Sequence, residues 1–156
     1  MRVGVISDSH WDSQSLRKAL AAMGAVDLIL HAGDMYEDAE YLSDISLYPV
    51  EAVAGNCDSA GKPTEKVVTV AGQKVLLTHG HKYGVKLGLQ KIGYLAEEKG
   101  VDAVVFGHTH VPCNLMLGNV LLFNPGSISL PRDHEAKTFG ILKVCNNIIR
   151  GEILKL

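Results

Sequence analysis

Two histidines one residue apart, His108 and His110, follow a strand-like apolar run in the segment VVFGHTHVP at residues 104–112. In an extended or tightly turned segment, side chains at positions i and i+2 can project to the same side. Two imidazoles aimed at one place suit a metal ion, but two surface histidines in a turn would show the same spacing. The pattern must therefore be weighed with the other polar residues of the chain.

Several other strand-like runs also end in residues that can bind a metal. The full set is Asp8, His10, Asp34, Asn56, His79, His108 and His110, and glycine accompanies most of its members. Each member alone has an ordinary alternative: a helix-capping aspartate, a turn asparagine, or a histidine satisfied in the core. Ligands gather outside the carboxyl ends of the strands in open α/β sheets. Because the seven residues follow five strands, the sequence predicts that they form one cluster.

The elements that must position these residues alternate between strand and helix in the first half of the chain. Apolar runs predict buried strands at 2–7, 26–34, 50–56 and 101–108. Periodic faces predict helices from Ser13 or Ser15 to about Met23, at 37–45 with Ile45 on its inner side, and at 88–100.

Turn residues between apolar runs predict three hairpins, at 66–80, 113–127 and 138–156. Parallel strands would come first and the last third would be mostly antiparallel, which indicates a mixed α/β fold. No linker or repeat interrupts the chain, so residues 1–156 are expected to form a single domain.

Composition excludes several classes of function. The 156 residues are 47% hydrophobic and carry a net charge of −2 without a large basic block, so there is no strong nucleic-acid signature. Three widely spaced cysteines fit a reducing compartment better than a disulfide framework. Neither a secretory signal nor an apolar run of membrane-spanning length is present, so we expect a cytoplasmic protein without a membrane partner.

In their order along the chain, the motifs resemble the signature of the calcineurin-like metallophosphoesterase superfamily. They read SDSH at 7–10, GDMY at 33–36, GNCD at 55–58, THGH at 78–81 and GHTH at 107–110. The GNCD spelling and the short chain are most similar to the small prokaryotic phosphodiesterases that also resemble a retromer subunit. The resemblance implies an α/β/β/α sandwich of two mixed sheets with flanking helices.

The resemblance also implies two divalent transition metal ions, with Asp34 as the bridging ligand. One ion would be bound by Asp8, His10 and His110 as well, and the other by Asn56, His79 and His108. Oxygen and nitrogen ligands suit manganese first, with nickel, iron, cobalt and zinc as alternatives. The implied mechanism is in-line attack on phosphorus by a hydroxide that bridges the two metals.

The residues expected to take part in catalysis are Asp34, Asn56, Cys57, Asp58 and His81, with Asn56 and His81 also contacting substrate. Many superfamily members carry a histidine in place of Cys57, and that histidine is thought to protonate the leaving group. A thiol is a poor acid at its ordinary pKa, so Cys57, His81 and solvent remain open as proton donors. Asp58 is expected to orient neighbouring groups, with a turn or cap as the alternative.

Two further features of the sequence are candidates for positions near the site. The segment NPGS at 124–127 is similar to a family segment near the metals, and a turn closing a hairpin is the alternative. Arg132, in the loop that follows, is a candidate contact for a phosphate.

These observations lead to a metal-dependent phosphoric ester hydrolase, with a small phosphodiester as substrate in preference to a monoester. The alternative is a catalytically weak or inactive scaffold of the same fold that binds proteins, although a scaffold has no need of all seven ligands. A metallo-β-lactamase would need an H-x-H-x-D-H pattern, which is absent, and 156 residues are too few for an amidohydrolase barrel. Relatives suggest a homodimer or homotetramer.

Overall fold

The computed structural model describes residues 1–132 and 136–156. Its elements, in chain order, are β1 (Arg2–Ile6), α1 (Ser13–Met23), β2 (Leu28–His31), α2 (Tyr36–Ile45), β3 (Val50–Ala52), β4 (Glu65–Val70), β5 (Gln73–Thr78), a 3₁₀ turn (His81–Tyr83), α3 (Gln90–Lys99), β6 (Ala103–Val105), β7 (Cys113–Leu117), β8 (Val120–Asn124), β9 (Thr138–Cys145) and β10 (Ile148–Lys155). Among the described helices, none is both long and apolar enough to cross a membrane.

The strands form two mixed five-stranded sheets, ordered β10-β9-β1-β2-β3 and β4-β5-β6-β8-β7. Parallel pairs join β1, β2 and β3 in the first sheet and β5, β6 and β8 in the second. Antiparallel hairpins complete both sheets. The predicted α/β class with two mixed sheets is therefore confirmed.

Three apolar clusters bind the layers together. Val3, Val5, Val75, Val105 and Phe123 belong to the cluster between the two sheets. A second cluster joins α1 and α2 to the outer face of the first sheet, and a third joins α3 to the outer face of the second. The order of layers is thus helix, sheet, sheet, helix, as the resemblance implied.

The strands are shorter than their apolar runs predicted. β2 ends at His31, β3 at Ala52 and β6 at Val105. Beyond those points the chain stays buried but leaves the regular ladder, as at Phe106, whose N–H donates to the carbonyl of Phe123 at 2.9 Å. An apolar run in the sequence indicates that residues are buried but does not show that they pair in a strand. The predicted strands were too long for this reason. The placement of Ile45 was also wrong, because it ends α2 and is 37% exposed.

Candidate metal centre

The carboxyl ends of parallel strands from both sheets meet at one edge of the sandwich. Asp8, His10, Asp34 and His110 each offer one ligand atom there, and the four atoms lie within 4.8 Å of one another. His110 Nε2 is 3.2 Å from Asp8 Oδ1 and 3.4 Å from His10 Nε2. These four residues are the group that the sequence analysis placed around one ion.

The remaining predicted ligands lie beside this group. His79 Nε2 is 3.3 Å from Asp34 Oδ1 and 4.0 Å from Asp8 Oδ1, and the His79 and His108 rings are 5.1 Å apart. Asn56 is exposed, and its side-chain nitrogen lies 3.5 Å from Cys57 Sγ. The structure therefore brings six of the seven residues together and leaves Asn56 at the rim.

The loops present these side chains through left-handed backbone conformations. Positive φ angles occur at Asp8 (53°), His10 (45°), Asp34 (58°), His108 (68°) and His110 (61°). Residues with side chains rarely adopt this region, and such strain concentrates at functional sites where the surroundings impose it. The turn from His108 to His110 sends one ring towards His79 and the other towards Asp8 and His10.

Two glycines permit the close approach of the loops. A Cβ atom at Gly107 would lie 2.0 Å from Ser7 Oγ and 2.8 Å from Asp8 Oδ2. A Cβ atom at Gly55 would lie 2.1 Å from Asp34 Oδ1. The glycines that precede the polar residues are thus required by space around the two carboxylates.

Hydrogen bonds on the far side of two histidine rings fix where their protons lie. His79 Nδ1 donates to the carbonyl of Ala32 at 2.8 Å, and His110 Nδ1 donates to the carbonyl of Leu130 at 2.6 Å. Since a carbonyl only accepts, the proton of each neutral ring is on Nδ1, and Nε2 is left as an acceptor. Backbone carbonyls commonly orient metal-binding histidines in this way.

The Nε2 atoms of His79 and His110 then face carboxylate oxygens, which are also hydrogen-bond acceptors. Buried His79 Nε2 has no hydrogen-bond partner among the described residues and points at the carboxylates of Asp34 and Asp8. Burial alone lowers the pKa of His79, but the two carboxylates outweigh burial and raise it. For Asp34, burial alone would raise the pKa. Its interactions with His79 and the Cys57 amide outweigh burial and hold the pKa of Asp34 far below its usual range. Each shift shows that the cluster favours a positive charge between these atoms, so the donor set fits divalent metal ions.

Cys57 is engaged with Asp34 through two atoms. Its backbone N–H donates to Asp34 Oδ1 at 3.1 Å, and its thiol donates to Asp34 Oδ2 at 3.4 Å. Burial and the Asp34 charge raise the pKa of the thiol to about 11. Cys57 is therefore a neutral donor that orients Asp34.

Asp58 accepts two backbone hydrogen bonds. Its Oδ1 accepts the N–H of Tyr36, the first residue of α2, and its Oδ2 accepts the N–H of Gly55, both at 2.6 Å. The side chain therefore caps α2 and fixes the loop that carries Asn56 and Cys57. Both of the roles considered for it from the sequence, orienting and capping, describe this one arrangement.

His81 lies on the 3₁₀ turn beside the cluster, with its ring 5.4 Å from the His79 ring. Its Nδ1 is buried and has no hydrogen-bond partner within residues 1–132 and 136–156. Burial and the neighbouring His79 lower the pKa of His81.

Two further residues support the site: His31, which was not predicted from the sequence, and Asn124, which belongs to the NPGS segment noted there. His31 is fully buried at the end of β2, and its Nε2 lies 2.9 Å from Ser9 Oγ. Asn124 Nδ2 donates to the carbonyl of Gly107 at 2.9 Å and to Thr109 Oγ1 at 3.0 Å. The available signals were a histidine two residues before the GD motif and the first residue of the NPGS segment.

Comparison with known proteins agrees with this geometry. A model of the calcineurin-like phosphoesterase superfamily domain matches residues 1–147. The probable metallophosphoesterase YsnB of Bacillus subtilis is 39% identical over 149 residues, covering 94% of this chain and 86% of YsnB. The phosphodiesterase YfcE of Escherichia coli K12 is 33% identical over 114 residues, covering 67% of this chain and 57% of YfcE.

Solved structures share the fold over nearly the whole chain. A predicted phosphoesterase from Streptococcus pneumoniae TIGR4 superposes with a TM-score of 0.85 at 30% identity, covering 99% of this chain and 88% of that one. A single mutant of Vps29 from Entamoeba histolytica superposes with a TM-score of 0.78 at 22% identity, covering 100% of this chain and 99% of that one. At that identity, the likeness to Vps29 concerns the fold alone.

Proposed function

The chain belongs to the calcineurin-like phosphoesterase superfamily, and on that premise we propose that it is a phosphodiesterase with a two-metal centre. The observation that carries the proposal is the buried cluster of two carboxylates and histidine nitrogens in which His79 Nε2 lacks a partner among the described residues. Preference for diesters is supported by the similarity to YfcE, which is described as a phosphodiesterase.

In this proposal Asp34 is shared by both metal ions. Asp8, His10 and His110 complete one ligand set, and Asn56, His79 and His108 complete the other. Manganese is the first choice, with nickel, iron, cobalt and zinc as alternatives. When bound, two such ions would neutralise the charge of the phosphoryl oxygens and lower the pKa of the water that attacks phosphorus.

The chain's own residues provide orientation and a proton. Ala32 and Leu130 hold the rings of His79 and His110 through their carbonyls, and Cys57 holds Asp34. Because the thiol of Cys57 already donates to Asp34, we assign His81 to the phosphoryl group and the leaving oxygen. The position of its ring, 5.4 Å from the His79 ring, supports this role.

Hydrolysis of bis(p-nitrophenyl) phosphate with Mn²⁺, compared with p-nitrophenyl phosphate, tests the activity. Asp34→Asn and His79→Ala should each lower kcat/KM by about 100-fold or more, since residues that only orient a metal ligand already cost about 10–100-fold. Lys18→Ala, at an exposed position on α1, is the matched control and should keep full activity. Unchanged activity in Asp34→Asn, or in excess chelator, would contradict the proposal.

Metal content separates the enzyme from the alternative of a protein-binding scaffold. After dialysis against Mn²⁺, the proposal expects two ions per chain by elemental analysis. Fewer than one ion per chain, together with no turnover of either ester, would favour the scaffold.

A further inference from the structure

An open groove of about 420 Å³ lies beside the turn that carries His108 and His110. Its lining residues are Val85, Lys86, Thr109, Val111 and Arg132. Thr109 stands between the two histidines in the chain, so one wall of the groove belongs to the loop that carries them. Nothing in the two-metal chemistry proposed above uses this groove.

The walls of the groove are held in place by the fold. Val85 is buried, and a Cβ atom at Gly80 would lie only 3.0 Å from Val85 Cγ2. Thr109 Oγ1 accepts the N–H of Val111 at 3.1 Å and the amide of Asn124 at 3.0 Å. The groove is therefore preformed, as ligand sites commonly are.

Two cationic side chains flank this preformed groove. Lys86 and Arg132 are exposed, neither forms a salt bridge with a described residue, and the lining contains no carboxylate among the residues described. The Arg132 backbone N–H donates to the carbonyl of His110 at 3.4 Å, which places this residue beside one predicted ligand.

Positive side chains beside a centre for divalent cations repel that centre unless an anion lies between them. A simple diester carries one negative charge, and the metals would engage it. The two side chains in the groove therefore have charge left for a second anionic group. Arginine in particular matches the geometry of a phosphate, because its fork can donate two parallel hydrogen bonds.

We propose that the groove binds a second phosphate of the substrate, so that the preferred substrates are phosphodiesters that carry a further phosphate group. Lys86 and Arg132 pair with that phosphate, and Val85 and Val111 contact the organic part between the two phosphorus atoms. The inference rests on the proposed function of the same centre and specifies its substrate class.

A matched pair of esters tests the inference: the p-nitrophenyl ester of thymidine 5′-phosphate, with and without an added 3′-phosphate. The wild type should show a kcat/KM about five- to tenfold higher for the 3′-phosphorylated ester, as expected for two partly exposed ion pairs. Lys86→Ala and Arg132→Ala should each reduce this ratio, and the double variant should bring it close to one. The ratio should also fall with added salt, and Lys18→Ala should leave it unchanged.

Because the ratio compares the kcat/KM of two esters in the same protein, a general loss of activity in a variant cancels out of it. If the wild type hydrolyses both esters equally well, or the double variant keeps the preference, the groove inference is overturned while the proposed function stands. If neither ester is hydrolysed, the proposed function fails and binding decides the inference. Thymidine 3′,5′-bisphosphate is then titrated into the metal-free protein, and amide NMR shifts at Thr109 and Val111 that weaken in the double variant support the groove. The absence of these amide shifts in the wild type overturns the groove inference.

Discussion

At the scale of single residues, His31 shows how a histidine can serve the site without being a ligand. Its Nδ1 accepts the N–H of Gly33 at 3.3 Å, so the proton is on Nε2, which donates to Ser9 Oγ at 2.9 Å. The ring thus joins the two loops that carry Asp8 and Asp34. Burial lowers the pKa of His31 to about 4, although Asp38 and Asp8 oppose the shift.

This buried neutral ring should make the protein sensitive to mild acid. Between the ordinary pKa of 6.5 and the folded value of about 4, the unfolded chain binds a proton that the folded chain does not. The free energy of unfolding should therefore fall as the pH falls through this window, by about 3 kcal/mol in total. Urea denaturation at pH 7 and pH 4.5, in chelator, measures the loss.

His31→Gln provides the comparison, because glutamine keeps a donor and an acceptor but does not titrate. The variant should lose less stability than the wild type over the same pH interval. Equal losses in the two proteins would show that His31 does not titrate as described, whatever the variant's stability at pH 7.

At the scale of elements, the loop after β6 approaches the loop after β1 at Gly107. Gly107→Ala should push Ser7 and Asp8 aside, because the new Cβ would lie 2.0 Å from Ser7 Oγ. We expect a loss of about 1–3 kcal/mol in unfolding free energy and weaker Mn²⁺ binding. Denaturation and calorimetric Mn²⁺ titration check both effects.

Gly93→Ala is the matched control within α3. A Cβ atom there meets only the far end of the exposed Leu117 side chain, and alanine favours a helix over glycine by about 0.5–1 kcal/mol. This variant should be as stable as the wild type or more stable, with unchanged Mn²⁺ affinity. Wild-type Mn²⁺ affinity in Gly107→Ala would refute the role given to that glycine.

The elements differ in how far the sequence predicts them. The helices and hairpins were predicted well, because apolar periodicity and turn residues such as Gly118 and Asn119 act locally. Strand ends were predicted poorly, because burial continues past the ladder. The pairing of β1 with β9 joins distant segments, so no local pattern predicts it, and the layering followed only from the family resemblance.

The features of the candidate site also differ in how far the sequence predicts them. Each motif of glycine and polar residue is local, so six of the candidate ligands could be predicted to lie together, as they do. The positive φ angles at Asp8 and His108 are imposed by neighbours from other loops, and residue type does not reveal them. The placement of Lys86 and Arg132 in the lining of one groove depends on the fold in the same manner.

At the scale of the whole molecule, the candidate centre joins the two sheets. Asp8 and Asp34 follow strands of one sheet, while His79 and His108 follow strands of the other. Metal ions shared between them should therefore stabilise the sandwich as well as serve catalysis. A ligand at a free concentration of 100 times its Kd contributes about 2.7 kcal/mol per site.

Each bound Mn²⁺ should accordingly raise the Tm by about 5–10 °C, given the usual shift of about 2–4 °C per kcal/mol for a chain of this size. Chelator should reverse the rise, and Asp34→Asn should reduce it. Scanning calorimetry with and without Mn²⁺ makes the measurement. Identical Tm values in the wild type would contradict a centre that spans both sheets.

The contacts of Asp8 have a consequence for biosynthesis. The Asp8 carboxylate accepts the N–H of His108, 100 residues later in the chain, and its carbonyl accepts the hydroxyl groups of Ser127 and Ser129, 119 and 121 residues later. A ribosome adds about 5–20 residues per second. The synthesis of His108 therefore follows the synthesis of Asp8 by roughly 5–20 s. A nascent chain that has reached only Asp34 lacks most of the histidines and the whole second sheet. Metal ions bound as proposed would therefore be acquired late in the making of the protein, and a prematurely terminated chain would lack the means to retain them.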